Sequence, residues 1–144
     1  MIVAGCKFPV ELHYLVEHQV WVRPHGDGTA TIGITAMGIV QSGEIYMCRP
    51  KLVGTSVQQG KSLAVVELAK SIVSVKSPVC GEVLEVNALL AAQPDRVHGD
   101  PYGSGWLARL RLTAWDADSA LLVHGAGVEA AMSHFAWLNK LDAA

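Results

Sequence analysis

The chain has 144 residues, 51% of them apolar and 17% charged, with a formal net charge of −2. That length suits one domain with a real core, and the composition excludes a disordered tail or a solvating linker. Eleven basic against thirteen acidic residues give no reason to expect nucleic acid or an anionic membrane as a partner.

The start, Met1-Ile2-Val3-Ala4-Gly5-Cys6-Lys7, has no basic region followed by a long apolar run, so it does not read as a secretory signal. No apolar stretch approaches the length of a membrane-spanning helix. Three cysteines at 6, 48 and 80 form no disulfide framework, and reduced thiols in the cytoplasm are expected. Residues 1–16 read as an unstructured N-terminal extension that leaves Cys6 exposed.

A β-rich region is expected over residues 17–112. Val20-Trp21-Val22-Arg23 and Thr29 to Ile34 are strand-like, joined across Pro24-His25-Gly26-Asp27-Gly28, in which Asp27-Gly28 supplies positive φ. Thr35 caps a short helix over Ala36 to Ser42, which Gly43 ends. Glu44 to Cys48 reads as a strand stopped by Arg49-Pro50. From Gly54 to Val86 come short β-rich runs, including Leu63 to Glu67 and Ile72 to Val75, punctuated by Gly54, Gly60, Pro78 and Gly81. Glu82 to Val86 is a further strand, and Asn87 caps a short helix over Ala88 to Ala92 that Gln93-Pro94 breaks. Trp106 to Leu112 is one more strand. Residues 113–144 read as helical: Trp115 to Val123, closed by Gly125, and then a stripe of Val128, Ala131, Met132, Phe135, Leu138 and Leu141 that docks on the β core. The expected fold is mostly β, a compact sandwich or flattened barrel in one monomeric domain with a helical C-terminal cap.

Catalytic motifs are weak. There is no Gly-x-Ser-x-Gly and no Cys-x-x-Cys. Neither His13 with His18 nor His124 with His134 has helical metal-ligand spacing. Gly103-Ser104-Gly105 and Asp100-Pro101-Tyr102-Gly103 are turns. Cys48 and Cys80 read as small core residues.

Lys70 stands out. It lies midway between Gly60 and Gly81 and between two β-rich segments, which places it at the tip of a hairpin. A primary amine on a flexible stem at such a tip is open to modification by another enzyme, although a solvated turn lysine has the same geometry. Without a catalytic set, a compact β protein presenting a lysine fits a carrier that tethers a prosthetic group and raises its effective concentration at partner enzymes.

Several motifs resemble one family in order and spacing. They are Glu17-His18-Gln19-Val20-Trp21-Val22, Gly26-Asp27-Gly28-Thr29, Gly33-Ile34-Thr35, Val66-Glu67-Leu68-Ala69-Lys70-Ser71, Ser77-Pro78-Val79-Cys80-Gly81-Glu82-Val83, Val86-Asn87 and Asp100 to Leu107. They resemble the H protein of the glycine cleavage system over about residues 17 to 125. The resemblance implies a lipoyl/biotinyl-type β-sandwich (a barrel-sandwich hybrid), with lipoic acid in amide linkage to Lys70 and Glu67 as a flanking recognition residue. Biotin fits less well, because biotinyl lysines are flanked by methionines.

Implied partners are a lipoylating ligase or transferase, dihydrolipoamide dehydrogenase, and the glycine decarboxylase and aminomethyltransferase between which aminomethyl groups pass. The chain departs from the family pattern in three places. Ala36-Met37 stands where an Asp is usual. Met47-Cys48-Arg49-Pro50-Lys51-Leu52 replaces an acidic segment with a basic one, and an extra residue separates His18 from Trp21. These departures direct the expectation to a divergent, H-like lipoate-binding branch serving sulfur oxidation with a heterodisulfide-reductase-like complex. A true glycine cleavage H protein and an unlipoylated docking scaffold are the alternatives.

Overall fold

The computed structural model describes residues 1–141. Eleven strands form three antiparallel sheets. A small hairpin pairs β1 (Ile2–Val3) with β2 (Cys6–Lys7). The six-stranded sheet contains β3 (His13–Leu15), β4 (Val20–Pro24), β5 (Thr29–Ile34), β7 (Ser56–Val57), β10 (Gly81–Val86) and β11 (Ala108–Leu112), in the order β3-β4-β5-β11-β10-β7. The three-stranded sheet runs β6 (Met47–Pro50), β8 (Ser62–Glu67) and β9 (Ile72–Lys76).

Side-chain alternation explains how these sheets pack. Val22, Ala30, Ile32, Val83, Ala108 and Leu110 from the large sheet join Leu63 of β8 in one buried cluster. Val20 and Ile34 join Cys48, Ala64, Val66 and Val75 of the small sheet in another. Trp21 points the other way and packs in a third, with Phe8, Leu12, Tyr14, Val128, Met132 and Ala136. Three consecutive residues of β4 are therefore buried, because both faces of that strand are covered. Opposite Trp21 stands Gly33, where a Cβ would overlap the indole ring. The Trp21 Nε1–H donates to the carbonyls of Ile34 and Pro101, each at 3.1 Å.

The first sixteen residues are not the unstructured start that the sequence led us to expect. Phe8, Leu12 and Tyr14 are fully buried, and β3 forms the edge of the large sheet. Cys6 is buried as well, not exposed. The Tyr14 and Val123 backbones exchange hydrogen bonds of 2.9 Å. Beside them His13 stacks on His124 with ring centroids 3.9 Å apart, and Trp115 meets His13 edge-on at 5.0 Å.

Helix α1 (Ala36–Ser42) starts where expected. Thr35 Oγ accepts from the Gly38 N–H at 3.0 Å and donates to Gln19 Oε1 at 2.6 Å. Gly43, at φ 76°, ends it. In the β4–β5 loop Gly26 and Gly28 carry the positive φ, whereas Asp27 caps Thr29 through Oδ1 at 3.0 Å. The next strand is Met47–Pro50 instead of Glu44–Cys48. Pro50 is accommodated because β6 is an edge strand. Helix α2 (Leu89–Ala92) is held by Asn87 Oδ1, which accepts from the Leu89 N–H at 3.1 Å. A short helix α3 (Arg96–Gly99) follows Pro94 and was not foreseen.

Helix α4 covers only Trp115–Ser119, because Val123 leaves the helical path to pair with Tyr14. Along α5 (Val128–Leu138) the buried positions are Val128, Met132 and Ala136, whereas Leu138 is 59% exposed. Lys140, at φ 58°, reverses the chain so that Leu141 donates back to the Ala136 carbonyl at 2.8 Å, a Schellman ending formed without glycine. Leu141 rejoins the core by that route.

Candidate functional site

Hairpin β8–β9 puts Lys70 where its sequence context placed it. The strands pair through Glu67 and Ile72, and residues 68–71 make the turn. The Leu68 N–H donates to the Ser71 carbonyl at 2.8 Å, and the Tyr46 backbone N–H, just before β6, braces the turn by donating to the Glu67 carbonyl at 2.8 Å. Leu68 tucks against the core cluster that contains Val66, leaving Ala69, Lys70 and Ser71 exposed. The tip is thus fixed at its base and open at its amine. Among the described residues no ion pair includes Lys70. Glu67 is exposed on the outer face of the small sheet, in register with Met47 and Ile72. No hydrogen bond joins Glu67 to Lys70 among the described residues.

Beside this hairpin runs a groove of about 160 Å³ between the small sheet and α1. Val20, Ile34, Val66 and Val73 supply apolar walls, and His18, Gln41 and Ser42 supply polar groups. Among the described residues no carboxylate lines it. The carboxylate beside it, on Glu17, is strongly exposed, with Oε2 4.0 Å from His18 Nε2. Sequence reasoning did not find this groove. Its walls come from five segments that meet only after both sheets have packed.

The cysteines stand apart from the tip. Burial pushes the thiol pKa of Cys6 up and that of Cys48 up to about 12, so neither is a ready nucleophile. Cys80 is only half-buried, contrary to the core placement expected for it. Its N–H donates to Asp118 Oδ2 at 2.7 Å, its Sγ lies 3.6 Å from Oδ1, and the Gln59 N–H points at the sulfur from 3.4 Å. Gly103 and Ser104 form the expected turn: Asp100 Oδ2 accepts from the Ser104 N–H at 2.8 Å, and these bonds hold its carboxyl below the ordinary range.

An exposed amine on a braced turn, in no ion pair among the described residues and backed by a sandwich, suits covalent attachment of an arm. The fold has a solved counterpart. A crystal structure of a glycine cleavage system H protein from Mycobacterium marinum superposes with a TM-score of 0.72 at 28% identity, covering 92% of this chain and 99% of that one. The β-sandwich is therefore of the lipoyl type. "Glycine cleavage system H protein 3" of Aquifex aeolicus is 39% identical over 124 residues, 84% of this chain and 77% of that protein. The glycine cleavage system H protein of Laribacter hongkongensis is 40% identical over 123 residues, 85% and 95% of the two chains. The family model described as "Glycine cleavage H-protein" matches residues 12–135, and the chain belongs to that family.

Proposed function

We propose that this protein is a non-catalytic lipoyl carrier of the glycine-cleavage type, with Lys70 as the attachment point. The observation that carries the reading is the exposed Lys70, outside the ion pairs of the described residues, on the braced β8–β9 turn of a chain from this family. Amide formation on Nζ would remove a surface cation. Exposed Glu67 would be available to the lipoylating enzyme as a recognition group, and Leu68 would keep the turn in one shape. Lipoic acid supplies a cyclic disulfide that opens to a dithiol and holds a transferred group on sulfur. Val66, Val73, Val20 and Ile34 would hold the apolar part of the arm, and the tether would raise its local concentration at partner enzymes.

Intact-mass measurement after coexpression with a competent lipoyl ligase tests the reading. One lipoyl increment is expected on the wild type and none on Lys70→Ala. An unmodified wild type overturns the carrier reading and leaves an unlipoylated scaffold.

The relatives support glycine decarboxylase and aminomethyltransferase as partners, with dihydrolipoamide dehydrogenase reoxidising the dithiol, over the sulfur-oxidation branch that the sequence departures favoured. One observation favours that second reading. An aminomethyl cargo is cationic at neutral pH, and among the described residues no carboxylate lines the groove beside the hairpin. Sulfur-bound cargo, neutral or anionic, would find donors in Gln41 and His18. Glycine decarboxylation by a reconstituted system separates the two: efficient turnover with this carrier assigns it to glycine cleavage, and a fully lipoylated but inactive carrier assigns it elsewhere.

A further inference from the structure

We propose that the outer face of the sheet β6–β8–β9 is a basic docking surface, and that the enzyme receiving the arm meets it with an acidic rim around an apolar centre. The proposal rests on the reading of Lys70 as the attachment point. Strand register defines the face. Met47, Glu67 and Ile72 form one outward row, and Arg49, Val65 and Ser74 form the next. The rows Cys48–Val66–Val73 and Pro50–Ala64–Val75 belong to the opposite face. Alternation along β9 brings Lys76 to the same side as Ile72 and Ser74. Lys51, just beyond β6, lines a groove of about 350 Å³ at the sheet edge with Arg49, Pro50, Leu52, Ala64 and Val65.

Two properties set this face apart. The first is charge. From Ile45 to Gly81 the chain holds five of its eleven Lys and Arg residues but, in Glu67, only one of its thirteen Asp and Glu residues. Acylation of Lys70 would leave four of those cations, so the part that presents the arm stays cationic although the molecule is slightly acidic as a whole. Elsewhere Arg109 and Arg111 are paired with Glu85 and Glu82. Among the described residues no ion pair involves Arg49, Lys51 or Lys76. Such a field steers an oppositely charged partner and fixes its register on arrival.

The second property is exposed apolar surface among those cations: Ile72 is 69% and Leu52 81% exposed, and Met47 and Val65 are exposed as well. Cations on edge strands also discourage strand pairing, but that role does not call for exposed Ile, Leu and Met beside them. An apolar centre within a polar rim is the usual anatomy of a protein interface. Because Lys70 stands at one end of the face, an enzyme docked there has the arm at its edge.

The test compares the lipoylated wild type with the triple variant Arg49→Glu, Lys51→Glu, Lys76→Glu and with a control, Lys7→Glu, Lys140→Glu, outside this sheet. The probe is the glycine decarboxylase of the same organism. The expected result is a rise in KM for the carrier of about tenfold in the triple variant with kcat retained. The wild-type KM should rise with salt, and the control should match the wild type. Intact mass verifies the arm in every sample, so loss of lipoylation is separated from loss of docking. If the lipoylated wild type is not turned over at all, the glycine-cleavage assignment fails, and the heterodisulfide-reductase-like complex becomes the probe for the same comparison. A triple variant equal to the wild type with the probe that accepts the carrier overturns the proposal. So does charge-dependent binding of the wild type to phosphatidylglycerol vesicles, or a wild-type dimer that the same reversals dissociate.

Discussion

Residue 33 is glycine because its neighbour across the strands needs the space. Register sets it opposite Trp21, and the indole lies where a methyl group would go. Gly33→Ala would push the ring off its two carbonyl acceptors in a core without slack. A loss of about 2 kcal/mol in urea unfolding is expected, with a changed near-ultraviolet signal from Trp21; an unchanged midpoint would contradict the packing. At this scale the sequence was partly legible. Lys70 could be read because turn formers and alternating strands are local signals, and four residues suffice to bring the chain around. Cys6 could not. It is buried in a cluster that also holds Val128, Met132 and Ala136, residues more than a hundred positions along the chain. Strand pieces of two residues, such as β1 and β2, are too short to carry a recognisable period.

Among the elements, α1 shows how a short helix is held in place. Seven residues are too few to be stable alone, and Thr35 ties this helix to the buried Gln19 side chain as well as to its own first turn. Thr35→Val keeps the shape and removes both bonds. A cost of roughly 1–2 kcal/mol is expected, measured by denaturant, with Thr35→Ser recovering most of it. The cap was visible in sequence as Thr before a helical run and Gly after it. The shift of β6 toward Pro50 was not, because only pairing reveals that a strand lies at an edge, where a missing N–H is tolerated. Helix α5 was misread in detail for a related reason. Its apolar stripe was extended through Leu138 to Leu141 as continuous helix, but Lys140 turns the chain and Leu141 reaches the core from the turn. A non-glycine residue in the left-handed region gives no advance notice.

For the whole molecule, the joint between the chain's early and late segments is expected to weaken in acid. His13 stacks on His124, and burial first, with the neighbouring imidazole second, pushes the pKa of His13 below its ordinary 6.5. In the window between that depressed value and 6.5 the unfolded chain binds more protons than the folded one. Stability contributed by this site is therefore complete above 6.5 and is lost as pH falls through the window. Urea midpoints should drop between about pH 7.5 and pH 5.5, and His13→Gln should flatten that drop; an identical pH dependence in the variant would remove His13 as the cause. The general architecture was legible from strand spacing and turn residues. The groove was not, since packing assembles it from separated segments. Sheet order has a further consequence, in time. Hairpin β8–β9 is complete within fifteen residues of chain, so its turn can form as soon as it is synthesised. Strand β11 comes late in sequence yet sits between β5 and β10, so the large sheet stays divided until Leu112 has been made. An enzyme that reads only the turn meets its substrate before that closure, whereas one that reads the folded face must wait for it.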